Sequence, residues 1–188
     1  MIEHTNTPSR PTTDTPKRAA DINIWLADLT YTQQQVSAEL IPYAVGLIAS
    51  FVESRIDLAR PIRLFKYPEK LIQALEEDGV PDIIGFSHFI WNGYHSLEFA
   101  RHIKRMSPDT IIVFGGVNYP AEDGEREAFL RAHPEIDFHV VKEGESAFLK
   151  LLEALIDTNM DKEAVRSKIP SVHSIGRDGK VWLTNQID

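Results

Sequence analysis

Apolar residues along the chain alternate between short dense runs and longer segments with helical spacing. Runs rich in β-branched and aromatic residues recur at 22–29 (INIWLADL), 61–67 (PIRLFKY), 81–91 (PDIIGFSHFIW), 110–116 (TIIVFGG) and 136–141 (IDFHVV), each of strand length. The intervening segments read as helices. Segment 30–55 is a helix entered through a polar turn, and its part 40–52 (LIPYAVGLIASFV) is apolar on nearly every side, which implies cover from more than one direction. Segment 68–79 (PEKLIQALEEDG) opens on Pro68 and closes on Gly79, the residues that start and stop helices best. Leu97, Ala100, Ile103 and Met106 share one helical face ahead of Pro108, Phe129 points inward from a polar helix over 122–131, and Ala147, Phe148, Leu151, Leu152, Leu155 and Ile156 form a stripe in the last helix.

Five strand and helix alternations predict an α/β fold. It is a doubly wound, Rossmann or flavodoxin-like, five-stranded parallel sheet with helices on both faces through right-handed crossovers. The continuous apolar run 81–91 belongs at its centre, buried from both sides. The C-terminal pattern differs: VHSIG and KVWLT flank Arg177, Asp178 and Gly179, a hairpin signal read as a strap leading away from the domain. The organisation expected is a disordered Thr/Pro-rich tail over 1–20, the α/β domain over 21–158, and a linker with hairpin over 159–188.

Charge and composition then narrow the function. The 188 residues carry 20 basic and 28 acidic side chains, a net −8, with no basic run, so nucleic-acid binding is disfavoured. Cysteine is absent, which excludes disulfides, thiolate zinc sites and cysteine-held iron–sulfur clusters within these residues. The N-terminus lacks the apolar core of a secretory signal and 40–52 is too short to span a bilayer, so no membrane role and a cytoplasmic address are expected.

In open parallel sheets ligands sit beyond the carboxyl ends of the strands. The residues there are Asp28, Leu29, Thr30 and Tyr31; Ser87 and His88; Gly115, Gly116, Val117 and Asn118; and Glu143, Gly144 and Glu145. No G-x-G-x-x-G or P-loop occurs among them, so dinucleotides and nucleoside triphosphates lack their usual anchor. A phosphorylation receiver would need a nucleophilic Asp where Ser87 and His88 stand. Gly115 and Gly116 permit close approach of backbone to a ligand, or merely a tight turn.

The ordered set ADLT, IPYAVGLIASFV, PDIIGFSHFIWN, IIVFGGVNYP and IDFHVVKEGESAFLKLLEAL resembles the cobalamin-binding domain at the N-terminus of many radical SAM enzymes, over roughly 22–157. The resemblance implies a corrinoid lying flat over the strand ends, with Gly115 and Gly116 making room and Ser87 beside its dimethylbenzimidazole tail or ring edge. It implies a radical SAM catalytic domain as partner, in cis or in trans, with iron–sulfur cluster and S-adenosylmethionine held there, and no catalysis by this chain alone. Mutase and methionine-synthase relatives carry Asp-x-His-x-x-Gly after the first strand. Here Thr30 stands for the His and Gln33 for the Gly, so no protein histidine is expected on cobalt.

Other constellations have plainer explanations. His95, Glu98 and His102 fall on one helical face, a pattern that a metal site or an ordinary exposed face explains. His88 is expected to be a buried, hydrogen-bonded histidine. Glu143 and Glu145 are expected to cap a helix, for want of a nucleophile beside them. The alternative function is a cobalamin-free module that docks on a catalytic domain or forms a homodimer through 40–52.

Overall fold

The structure, a computed structural model, describes residues 22–31 and 42–184. The expected tail over 1–20 and the first part of the helix expected over 30–55 lie outside the described residues. Among the described residues seven strands form one sheet in the order β2-β1-β3-β4-β5-β6-β7. They are β1 (Ile24–Ala27), β2 (Arg63–Phe65), β3 (Ile83–Ser87), β4 (Ile111–Gly115), β5 (Phe138–Val140), β6 (Val172–Ile175) and β7 (Val181–Leu183). The first five pair in parallel, and the central β1, β3 and β4 are almost wholly apolar, as suits strands covered on both faces. Every residue of β3 is buried, in keeping with its central place.

The helices are α1 (Tyr43–Glu53), α2 (Pro68–Glu77), α3 (Gly93–Met106), α4 (Asp123–Ala132), α5 (Gly144–Asp157) and the short α6 (Lys162–Val165). α2 carries Pro68 in its first turn, and Gly79 follows it with φ +78, the start and stop that the sequence predicts. One core packs α1, α5 and α6 on Leu26, Val113, Phe138 and Val140, while the other packs α2 and α3 on Trp25, Ile84, Phe86 and Phe114. Successive strand residues face opposite layers, which assigns odd and even positions to separate cores.

The expected hairpin forms, but it does not lead away from the domain. β6 pairs antiparallel with β5, His139 opposite His173, and β7 pairs with β6. The exposed edge of β5 would otherwise leave its N–H and C=O groups without partners. Val165, Ile169 and Val172 join the core beneath it, so the segment after α5 completes the sheet.

β1 connects to β2 on one side and β3 lies on the other, which places a topological switch point between β1 and β3. Helices leave the two strands toward opposite faces, and a crevice opens beyond their carboxyl ends.

A candidate corrinoid site at the strand ends

Strand register builds the site. Leu26, Gly85, Val113 and Phe138 lie in one row across β1, β3, β4 and β5 on the face covered by α1 and α5. The next row on that face is Asp28, Ser87, Gly115 and Val140, since Ala27 pairs with Phe86, Ser87 with Gly115, and Gly115 with Val140. Small side chains in mid-row leave a depression. A cavity of about 350 Å³ occupies it, within the range of ligand pockets, roughly 300–1,000 Å³. Leu26, Val113, Val140 and Phe148 form its apolar depth, Tyr43, Leu47 and Ile48 of α1 one wall, and the turn from Lys142 to Glu145 its lip.

Of the residues singled out from the sequence, Ser87, Gly115, Gly116, Val117, Glu143, Gly144 and Glu145 line this cavity. Asp28, Leu29, Thr30, Tyr31, His88 and Asn118 do not. Asp28 borders it through a polar cluster: the Ser87 hydroxyl donates to Oδ1 of Asp28, and the Asn92 amide donates to the same oxygen at 3.1 Å and to the Ser87 hydroxyl at 2.8 Å. The Phe89 N–H donates to Oδ1 of Asn92, which ties the end of β3 to the start of α3. Ser87 therefore has its proton engaged within the protein and keeps acceptor capacity only. Leu29 is fully buried in the second core, Thr30 N–H bonds Lys66 C=O beside β2, and Tyr31 packs on His95 with ring centroids 4.2 Å apart.

His88 turns to the opposite face. Its ring is buried against Phe114 and Phe129 and meets the amide of the exposed Asn118 at 3.2 Å, so the His88 ring belongs to the core. Burial, reinforced by His133, lowers the His88 pKa to about 4. His139 lies beside it, fully buried, stacked on Tyr119 at 3.6 Å, with neither ring nitrogen hydrogen-bonded. Burial first, then the neighbouring His88 and His173, holds its pKa well below the ordinary value. His173, whose Nδ1 is 3.2 Å from the Tyr119 hydroxyl, is lowered by burial to about 4. Three neutral imidazoles thus fill an aromatic pack behind the strand ends.

The two glycines have different tasks. Gly116 has φ +133, and a Cβ there would stand 2.6 Å from the His88 carbonyl oxygen, so its absent side chain is required by the fold. At Gly115 a Cβ would meet only Val140, at an ordinary 3.7 Å, and would stand on the cavity face. Room for a ligand comes from Gly115.

The expected capping by Glu143 is not observed. Glu143 occupies the N-cap of α5 but its side chain makes no cap hydrogen bond. His95, Glu98 and His102 do not converge: Glu98 pairs with Arg101 at 2.6 Å, and no group of three or more potential metal ligands exists among the described residues.

Sequence reasoning missed Asn92, the floor residue Gly85 and the whole α1 wall. Gly85 was legible as a glycine inside an apolar strand, a mark of close approach. A Cβ on it would stand 2.6 Å from Cδ2 of Leu26.

Residues 34–152 match the profile of the B12 binding domain, more than half of the chain. The cobalamin-dependent radical SAM methyltransferase TokK of Streptomyces tokunonensis is 30% identical over 129 residues, 66% of this chain and 18% of that protein. The 2-(S-pantetheinyl)-carbapenam-3-carboxylate methyltransferase of Streptantibioticus cattleyicolor is 31% identical over 122 residues, 62% of this chain and 17% of that protein. The chain therefore spans less than a fifth of the length of these two relatives. Among solved structures, the cobalamin-dependent S-adenosylmethionine radical enzyme OxsB with aqua-cobalamin bound superposes at a TM-score of 0.65 and 16% identity, over 90% of this chain and 23% of that one. Its apo form gives 0.60 and 18%, over 88% of this chain and 22% of that one. At such identity the likeness is one of fold, shared over nearly the whole chain. With the profile covering the ends of β3, β4 and β5 around the cavity, the protein belongs to the B12-binding domain family.

Proposed function

We propose that this chain is the cobalamin-binding part of a radical SAM enzyme and carries the corrinoid over the ends of β1, β3 and β4 without a histidine on cobalt. The observation that supports this reading is the row Asp28, Ser87, Gly115 and Val140, whose small centre opens a broad depression at the switch point. Its apolar depth suits the tail base of cobalamin and its open lip a flat macrocycle, while the volume is too small for the entire molecule. No histidine lines it. Thr30, which stands where a histidine ligand would, is bonded through its backbone beside β2.

When bound, cobalamin supplies a cobalt able to carry a methyl group. The chain's own residues would exclude water from the tail through Leu26, Val113, Val140 and Phe148, and hold the strand ends rigid through Asp28, Ser87 and Asn92. The three cysteines needed for a radical SAM cluster are not in these residues, so that chemistry belongs to a catalytic domain. Tyr43 and Val117 of the cavity lining, and Trp91 stacked on the lining Phe89, are each more than half exposed and suited to being covered by that domain. The same apolar brim is what favours the second reading, a docking module without cobalamin.

A titration with hydroxocobalamin, followed in the visible spectrum, separates the two. Saturable binding weakened by Gly115→Val supports the first reading, and absence of binding by folded protein leaves the second. An electron paramagnetic resonance spectrum of the bound cob(II)alamin, free of nitrogen splitting on the cobalt lines, is the expected mark of a missing nitrogen ligand.

A further inference from the structure

The lip of the cavity carries three charged side chains, Lys142, Glu143 and Glu145, that make no side-chain hydrogen bond or ion pair among the described residues. They arise from one short turn between β5 and α5, in which Lys142 has φ +61, a conformation uncommon outside glycine. Exposed charges elsewhere, such as Asp57, Glu76 and Glu153, line no cavity; these three stand together at a cavity mouth and form a hydrogen-bonding surface presented there.

Its chemistry is specific. Two carboxylates accept hydrogen bonds and donate none, one ammonium donates and accepts none, and together they are net negative. A ligand rim of primary amides satisfies both kinds, because each amide offers two N–H donors and one carbonyl acceptor. A rim of carboxylates could satisfy Lys142 but would bring like charge against Glu143 and Glu145. Cobalamin and cobinamide carry amides around the macrocycle, whereas their early precursors carry carboxylates at the same positions.

We propose that the turn from Lys142 to Glu145 reads the periphery of the corrinoid, with Glu143 and Glu145 accepting from its amides and rejecting corrinoids that bear free carboxylates. This rests on the cobalamin reading above and assigns the selectivity of that site. The domain would thereby admit only the fully amidated cofactor.

The test compares dicyanocobinamide with dicyanocobyrinic acid, the same macrocycle with carboxylates, by competition against cobalamin on the complete chain. The wild type should prefer cobinamide, and Glu143→Gln/Glu145→Gln should shrink that preference roughly tenfold, as expected for close like charges at a wet surface. Added salt should shrink it in the wild type and leave the variant nearly unchanged. Because the substitution changes the net charge from −8 to −6, since −8 + 2 = −6, the control is Glu76→Gln/Glu153→Gln, with the same change at exposed positions outside the cavity. An unchanged preference in the lip variant, or an equal loss in the control, overturns the inference. Failure of the wild type to bind cobalamin or cobinamide overturns the cobalamin reading instead.

Discussion

Gly115 and Gly116 adjoin in sequence, yet exchanging them for larger residues should have opposite kinds of consequence. At Gly116, φ +133 is a region that L side chains rarely adopt, and such strain costs about 1–3 kcal/mol. The added Cβ would also stand 2.6 Å from the His88 carbonyl oxygen and 3.0 Å from the His88 nitrogen. Those atoms cannot easily retreat, because His88 N–H bonds the Gly115 carbonyl and His88 C=O accepts from Asn118 N–H. Overpacking of that kind adds about 1–3 kcal/mol. Gly116→Ala should therefore cost about 2–6 kcal/mol, a large share of a domain stability of about 5–15 kcal/mol. With a urea slope of about 2 kcal/mol/M, the midpoint should fall by about 1–3 M. Gly115→Ala meets nothing closer than 3.7 Å and should stay within about 1 kcal/mol of wild type. Gly115→Val, by contrast, should weaken cobalamin binding about 10–100-fold, because its methyls stand on the cavity face. Urea denaturation followed by circular dichroism, with a visible titration, measures both. A Gly116→Ala protein within about 0.5 kcal/mol of wild type, or a Gly115→Val protein of undiminished affinity, refutes the assignment.

The neutral histidine pack should make the fold acid-sensitive in a defined window. His88 and His173 have pKa values of about 4 in the folded protein, against about 6.5 unfolded, and His139 is also lowered. The unfolded chain thus binds more protons between these limits, so stability is full above pH 6.5 and falls toward pH 4, by up to about 3 kcal/mol for each of His88 and His173. Equal urea midpoints at pH 7 and pH 5 would count against it. Asp137→Asn should cost about 3–5 kcal/mol, because the buried carboxylate holds Lys104 at 2.6 Å and Lys162 at 2.7 Å and accepts from Ile112 N–H. A loss under about 1 kcal/mol in urea would remove that account. Asn92→Ala should weaken cobalamin binding as well as stability, since Asn92 holds Ser87, Asp28 and Phe89 together. A variant with wild-type affinity would show that this cluster is structural alone.

The sheet was legible because its central strands follow one rule: parallel strands covered on both faces run nearly continuously apolar, as in IIGFS and IIVFG. The hairpin was legible from its turn residues, but its pairing was not, because sequence pattern carries no record of which edge a strand will join. At the site, Gly115 and Ser87 could be placed by counting to the strand ends. His88, named among the strand-end residues and expected to be buried, keeps the period of two past β3: Ser87 faces the cavity and His88 the opposite core. α1 escaped notice as a cavity wall because its apolar surround admits several partners. Tyr43 and Leu47 remain exposed beside the cavity while Val45, Ala49 and Val52 face the core.

The central claim, that cobalamin lies over Ser87 and Gly115, is tested most directly by locating cobalt. Crystals of the chain grown with hydroxocobalamin, measured on either side of the cobalt absorption edge, give the metal position from anomalous differences alone. The account predicts one peak above the ends of β1, β3 and β4, with no histidine nitrogen within bonding distance. A peak elsewhere on the molecule, or a histidine bound to the metal, would contradict it.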